Sequence, residues 1–241
     1  MKKYLISVFL FYSTTISGQE YNSDTAFVIN KQTFKIQTRE INSDQVTLTI
    51  HRNTKIIMAD TVDAGGLSNL KFPDFDKDGN KDIMLTHMGN NFTYNLYLFD
   101  KIKNVFRFVK GFDRFPEAQQ LKTNPKYYFS YHRAGCADMN WVSDLFFIHN
   151  FKTIHIGQIY GKGCDADIKE EPQVIEIYKI IDNTEDKEKL ISKLPYVKNI
   201  PEFGGKWDFL KRYWEKNYLK VLPTRTTNRQ HGYCCKCGRT L

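Results

Sequence analysis

Between Ala26 and Tyr178 the chain consists of short runs in which apolar and polar residues alternate, each closed by turn-forming residues. The runs read AFVIN, TFKIQT, QVTLTIH, KIIMADTV, IMLTHM, YNLYLF, NVFRFV, KYYFSYH, VSDLFFIH, KTIHIGQIY and QVIEIYKI, with NKQ, NSD, HRN, DAGG and DKIKN between them. A period of two places every second side chain on one face of an extended strand, and runs this short are strand-sized. The pattern predicts an all-β fold, an antiparallel meander arranged as a propeller-like body or a sandwich. FDKIKNVFRF reads as a hairpin with its turn at Lys101 to Asn104. A content of 15% aromatic residues suits rings packed across such sheets. Neighbouring runs are expected to pair with one another.

The pattern changes after Ile181. DNTEDKEKLISKL offers Asp182, Asn183 or Thr184 as an N-cap, acids in the first turn and Lys193 near the end, which predicts a short helix. A second helix is expected after Gly204-Gly205, where Trp207, Leu210, Tyr213, Trp214, Tyr218 and Leu219 form a stripe opposite lysines and arginines. The stripe is expected to be a packing face. One or two C-terminal helices therefore follow the β body.

The start, MKKYLISVFLFYSTTISGQE, has two lysines, an apolar run and small polar residues ending at Gly18, the layout of a secretory signal peptide. The mature chain is expected to begin near Gln19. No later stretch is apolar enough for a membrane span, and no cysteine before Cys136 supports lipoprotein attachment. The expected organisation is a signal peptide at 1–18, a calcium-binding β domain at 19–181, a helical extension packed on it at 182–220, and a basic Cys-rich tail at 221–241. The expected location is periplasmic or secreted.

The formal charge of +8 is unevenly distributed: Lys2 and Lys3 lie in the leader, and nine Lys or Arg against Asp208 and Glu215 lie from Gly205 onward. The body between is nearly neutral. A basic end can touch anionic lipid, polysaccharide or nucleic acid, although a solvated end is the commoner role. An exported chain has little occasion to meet nucleic acid, so none is expected as a partner.

FPDFDKDGNKDIML concentrates Asp74, Asp76, Asp78 and Asp82 in one loop, with Gly79 at the sixth position counted from Asp74. Calcium takes six to eight oxygens, and this spacing supplies alternate carboxylates plus a main-chain carbonyl near Asn80. Carboxylates about 5 Å apart repel by about 1–3 kcal/mol per pair at effective dielectrics of about 80 and 20, so an empty closed loop would be strained; the alternative is an exposed acidic turn, since Asp and Gly are ordinary turn formers. Leu85 stands where an EF-hand would have its bidentate Glu, and the flanks are strand-like, so a hairpin-type calcium loop with a structural role is expected. Magnesium, which prefers a rigid octahedron, fits less well. The loop resembles the D-x-D-x-D-G-x-x-D loops of FG-GAP and related extracellular β repeats. It occurs once, so an array of such blades is not expected.

Cys136 and Cys164 flank two strand-like runs, and in an exported protein they are expected to form a disulfide stapling a hairpin. The tail holds His231, Cys234, Cys235 and Cys237. Its C-x-x-C spacing lacks an obvious second ligand pair, so zinc is the lesser alternative to a tail disulfide or an intermolecular bridge. His132, His149 and His155, with Asp138 and Asp144 nearby, are candidates for catalysis, but no nucleophile elbow, H-E-x-x-H helix or phosphate-cradling glycine loop accompanies them. No catalytic residue is assigned.

GGLSNLKFPDFDKDGNKDIML, NNFTYNLYLFDKIKNVFRFV and SYHRAGCADMNWVSDLFFI with the later Cys164, over residues 60 to 180, together resemble exported calcium-loop proteins related to periplasmic lysozyme inhibitors. That group includes immunity proteins protecting bacteria from peptidoglycan hydrolases delivered by type IV secretion. The resemblance implies a β-rich body whose surface loop blocks a muramidase cleft, with metal ligands at Asp74, Asp76, Asp78 and Asp82 and the carbonyl of Asn80. The acidic stretch Asp165 to Glu171 would supply electrostatic steering. The expected function is protein binding, with a peptidoglycan hydrolase as partner. The alternatives are a hydrolase acting on an extracellular polymer and an adhesion or scaffold module. Oligomeric state is not legible in the sequence.

Overall fold

The structure is a computed structural model and describes residues 23–29, 31–164, 172–182 and 187–222. The signal peptide at 1–18, the acidic stretch 165–171 and the tail with His231, Cys234, Cys235 and Cys237 lie outside the described residues. The chain divides into two compact units, Met1–Gly65 and Gly66–Leu241, where the sequence reading has a single β domain over 19–181.

The first unit contains β1 (Ser23–Ile29), β2 (Gln32–Asn42), β3 (Gln45–Arg52) and β4 (Lys55–Asp63), paired in chain order as an antiparallel meander. Val46, Leu48 and Ile50 are fully buried while the intervening threonines are not, the alternation that a one-sided sheet requires. Ile36 faces Ile50 across the ladder. On the other face Asp24 meets Lys35 at 3.0 Å and Arg39 at 2.6 Å, which holds its carboxyl down at about 2.

The second unit has two sheets. The first is a meander of β5 (Leu67–Lys71), β6 (Ile83–His87), β7 (Thr93–Asp100) and β8 (Val105–Phe108). Its β7–β8 turn falls at residues 101–104, as the sequence predicts. The other sheet has seven strands: β9 (Gln119–Gln120), β10 (Tyr127–Phe129), β11 (His132–Arg133), β12 (Asn140–His149), β13 (Lys152–Lys162), β14 (Val174–Asp182) and β15 (Lys187–Pro195). Its order is β15-β14-β13-β12-β10-β9, with β11 also on β12. All the strand pairs are antiparallel, and the two sheets pack sandwich-like through Leu96, Leu98, Phe112, Phe115, Tyr128 and Phe146. The all-β antiparallel reading therefore holds.

The opposite face of the seven-stranded sheet is covered by the C-terminal elements, α1 (Tyr196–Asn199) and α2 (Lys206–Asn217), followed by a 3-10 turn (Tyr218–Val221). Within the expected stripe Leu210 and Trp214 are fully buried, joined by Phe209, while Leu219 is exposed. The buried indoles donate to Ser143 Oγ from Trp214 at 2.9 Å and to the Tyr196 hydroxyl from Trp141 at 3.1 Å, which satisfies their polar edge. Trp141 lies directly over Gly161: a Cβ there would stand 2.1 Å from Trp141 Cε2. Gly161→Ala is expected to cost about 1–3 kcal/mol by overpacking, read as a lowered thermal midpoint.

The helix expected over 182–194, the first part of the 182–220 helical extension, is corrected. Lys187–Pro195 is β15, the edge strand of the large sheet, paired among the described residues with β14 alone. Edge strands are guarded by charge, so Lys187, Glu188, Lys189 and Lys193 imitate the polar face of a helix. Across the ladder Lys193 meets the buried Glu176 at 2.6 Å.

Candidate metal centre

The acidic loop is the connection between the adjacent antiparallel strands β5 and β6. Its base is closed by the Asp82 N–H donating to Pro73 O at 2.6 Å. Two left-handed residues, Lys77 (φ 59) and Gly79 (φ 90), turn the chain back on itself. That reversal brings one carboxylate oxygen from each of Asp74, Asp76 and Asp78 within 4.8 Å of one another. Oxygens around a calcium ion at 2.3–2.6 Å stand at most about 5 Å apart, so the three can share one ion.

Backbone amides already serve several of these oxygens. The Asp78 N–H donates to Asp76 Oδ1 at 3.2 Å, Gly79 N–H to Asp74 Oδ2 at 3.1 Å and Asn80 N–H to Asp78 Oδ1 at 2.9 Å. Asp74 Oδ1 is buried and accepts no hydrogen bond from the described residues. A buried carboxylate oxygen without a donor is costly, and it belongs to the residue at the first position of the motif. The donor set of hard oxygens and this orphaned atom fit a calcium ion. Burial, with the charges of Asp78 and Asp74 beside it, raises the Asp76 carboxyl above its ordinary range. A bound dication would neutralise this repulsion and hold the loop closed.

Asp82 stands differently from the other three aspartates. It is buried, with Oδ2 accepting from Phe75 N–H at 2.8 Å and Oδ1 from Phe99 N–H at 2.9 Å, and it is outside the three-carboxylate cluster. It ties the loop to β7, while each of its oxygens keeps a second lone pair. Burial pushes its carboxyl up to about 7, against the lowering effect of the two amides. A carboxyl whose folded pKa exceeds its unfolded value binds protons better in the folded state, so stability falls as pH rises from about 4 to about 7. In chelator the thermal midpoint is expected to decline across that window, and calcium is expected to flatten the decline.

Asn80 is buried, with its side-chain amide donating to Asp78 Oδ1 at 2.9 Å. Phe75, between the first two aspartates, stacks on Tyr128 at 5.0 Å and meets Phe112 edge-on at 5.1 Å. Gln120 Nε2 reaches Asp76 O at 3.4 Å. Phe75 and Gln120 thus seat the loop on the large sheet, and neither was a site residue on sequence grounds. The alternation of Phe75 with the aspartates was the available signal.

Cys136 and Cys164 form the expected disulfide, with Cα atoms 5.7 Å apart, across the ends of the β12–β13 hairpin. The histidines separate. His155 and Asp144 meet at 3.0 Å, with Gln158 Nε2 at 3.0 Å and Ser130 Oγ at 3.2 Å also donating to Asp144. Burial alone would raise the Asp144 carboxyl, but its hydrogen bond and charge interaction with His155 hold it below the usual range. Both residues of the pair are buried, and His155 Nε2 also lies 3.0 Å from Gly157 O. His132 Nδ1 is 3.9 Å from Asp144, and His149 lies at the exposed end of β12. Asp138 pairs instead with Lys206. This is the geometry of a satisfied structural pair.

No protein-family model matches the chain, and no curated protein matches it. Among solved structures the chain is similar to a Xanthomonas type IV secretion system related protein, at 17% identity and a TM-score of 0.44, over 70% of this chain and 93% of that one.

Proposed function

We propose that this chain is an exported calcium-binding β protein that acts by binding, and that its partner is a peptidoglycan hydrolase whose action it blocks. The observation that carries the calcium reading is the convergence of carboxylate oxygens from Asp74, Asp76 and Asp78 within 4.8 Å of one another, in a loop where Asp74 Oδ1 is buried and has no donor among the described residues. Asp74, Asp76 and Asp78 hold the ion, with the Asn80 carbonyl and Asp82 completing its shell. Binding of calcium to the folded state alone stabilises it by mass action. The disulfide suits an oxidising compartment. Among the described residues no helix is long and apolar enough to cross a membrane. The hydrolase partner rests on the resemblance in the ordered acidic, aromatic and cysteine segments. The saturated Asp144–His155 pair favours binding over catalysis.

Incubation of the protein with peptidoglycan and a panel of muramidases tests the partner. Slowed hydrolysis by one or more of them is the expected result. Unchanged hydrolysis across the panel contradicts inhibition, and new cleavage products without added muramidase would assign the chain to the hydrolases.

A further inference from the structure

We propose that the outward face of α2 docks peripherally on an anionic phospholipid bilayer. The helix turns Phe209, Leu210 and Trp214 into the core, which fixes the opposite arc in solvent. That arc carries Lys211, Arg212 and Lys216, with Lys220 following in the 3-10 turn, all exposed. None of these four cations has a hydrogen-bond or ion-pair partner among the described residues.

Two acids share the arc. Asp208 is exposed at its start. Glu215 is engaged sideways: its carboxylate accepts from Lys122 N–H at 2.7 Å, Thr123 N–H at 2.9 Å and Thr123 Oγ1 at 2.6 Å. The surface is therefore net positive beside a nearly neutral body. Because α2 is held by its buried side and by Glu215, the cations are displayed on a fixed support, without a helix-folding step on contact.

A bilayer is favoured over a soluble polyanion by Leu219. This side chain is 63% exposed and sits between Lys216 and Lys220 along the chain. An apolar side chain among cations matches the boundary between charged headgroups and acyl chains, a layer that polysaccharides and nucleic acids lack. The sequence beyond Leu222 contains Arg225, Arg229, Lys236 and Arg239 and no acid. Each Lys or Arg near an anionic membrane adds attraction, which salt screens.

Sedimentation of the full chain with phosphatidylglycerol-containing vesicles tests this, with pure phosphatidylcholine vesicles as control. Binding to the anionic vesicles alone, weakened by high salt, is expected. Lys211→Glu combined with Arg212→Glu and Lys216→Glu is expected to weaken it by about tenfold or more, and Leu219→Ser by a smaller factor. All four positions are on the surface, and an unchanged thermal melt would verify the fold of each variant. Absence of binding, equal binding to phosphatidylcholine, or undiminished binding of the triple variant would overturn the proposal. So would full retention by Leu219→Ser together with equal binding to soluble polyphosphate. Muramidase inhibition does not depend on any of these outcomes.

Discussion

Lys206→Ala is expected to destabilise the protein by about 3–5 kcal/mol, the range for breaking a buried ion pair by removing one partner. Lys206 is 2% exposed, an unusual position for a lysine at the start of a helix. Its ammonium donates to Asp138 Oδ2 at 2.5 Å and to Asp138 O at 2.9 Å, and lies 3.9 Å from the centre of the Phe203 ring. Asp138 also accepts from the Tyr131 hydroxyl, and Tyr131 packs on Trp207 at 4.1 Å. Removing the ammonium leaves a largely buried carboxylate facing a phenol and, as the one other cation among the described residues, the distant Arg133, at 4.0 Å. The penalty is the uncompensated charge more than the lost contact. Denaturant melts of Lys206→Met, Asp138→Asn and the double variant would isolate the coupling, and the double variant is expected to be more stable than Lys206→Met alone.

Removing the disulfide, as Cys136→Ala with Cys164→Ala, is expected to cost about 3–4 kcal/mol through the entropy of the unfolded loop. The bridge spans 28 positions. Cys136, Ala137 and Asp138 all have positive φ, at 50°, 48° and 72°, conformations that residues with a Cβ adopt reluctantly. The loop is held on one side by Cys164 and on the other by Lys206 through Asp138. Loss of the disulfide is therefore expected to couple with loss of Lys206, so that the combined variant departs from additivity. Equilibrium unfolding of the single and combined variants measures this; strict additivity would show the two restraints to be independent.

Strands were legible where one face is buried, because burial imposes alternation. Val46, Leu48 and Ile50 declare themselves in this way. The α2 stripe was legible for the same reason at a different period. β15 was not, since among the described residues it is an edge with a single neighbour, and its lysines and glutamate serve solubility with no imprint of a core. The division at Gly65–Gly66 was read only as a turn, DAGG, because a boundary between units is set by contacts distant in sequence. Within the site, the convergence of Asp74, Asp76 and Asp78 follows from local spacing and Gly79. The attachment of Asp82 to Phe99, in a different strand, and of Phe75 to Tyr128 depends on tertiary packing, which spacing does not encode.

Calcium binding is tested most directly by isothermal titration of the chelator-treated protein, with thermal melts of the same samples. A single saturable binding event and a raised melting temperature are predicted, both lost in Asp74→Asn while its circular dichroism stays strand-rich. No binding heat, with identical melts in calcium and in chelator, would contradict the assignment of the Asp74–Asp82 loop as a calcium site.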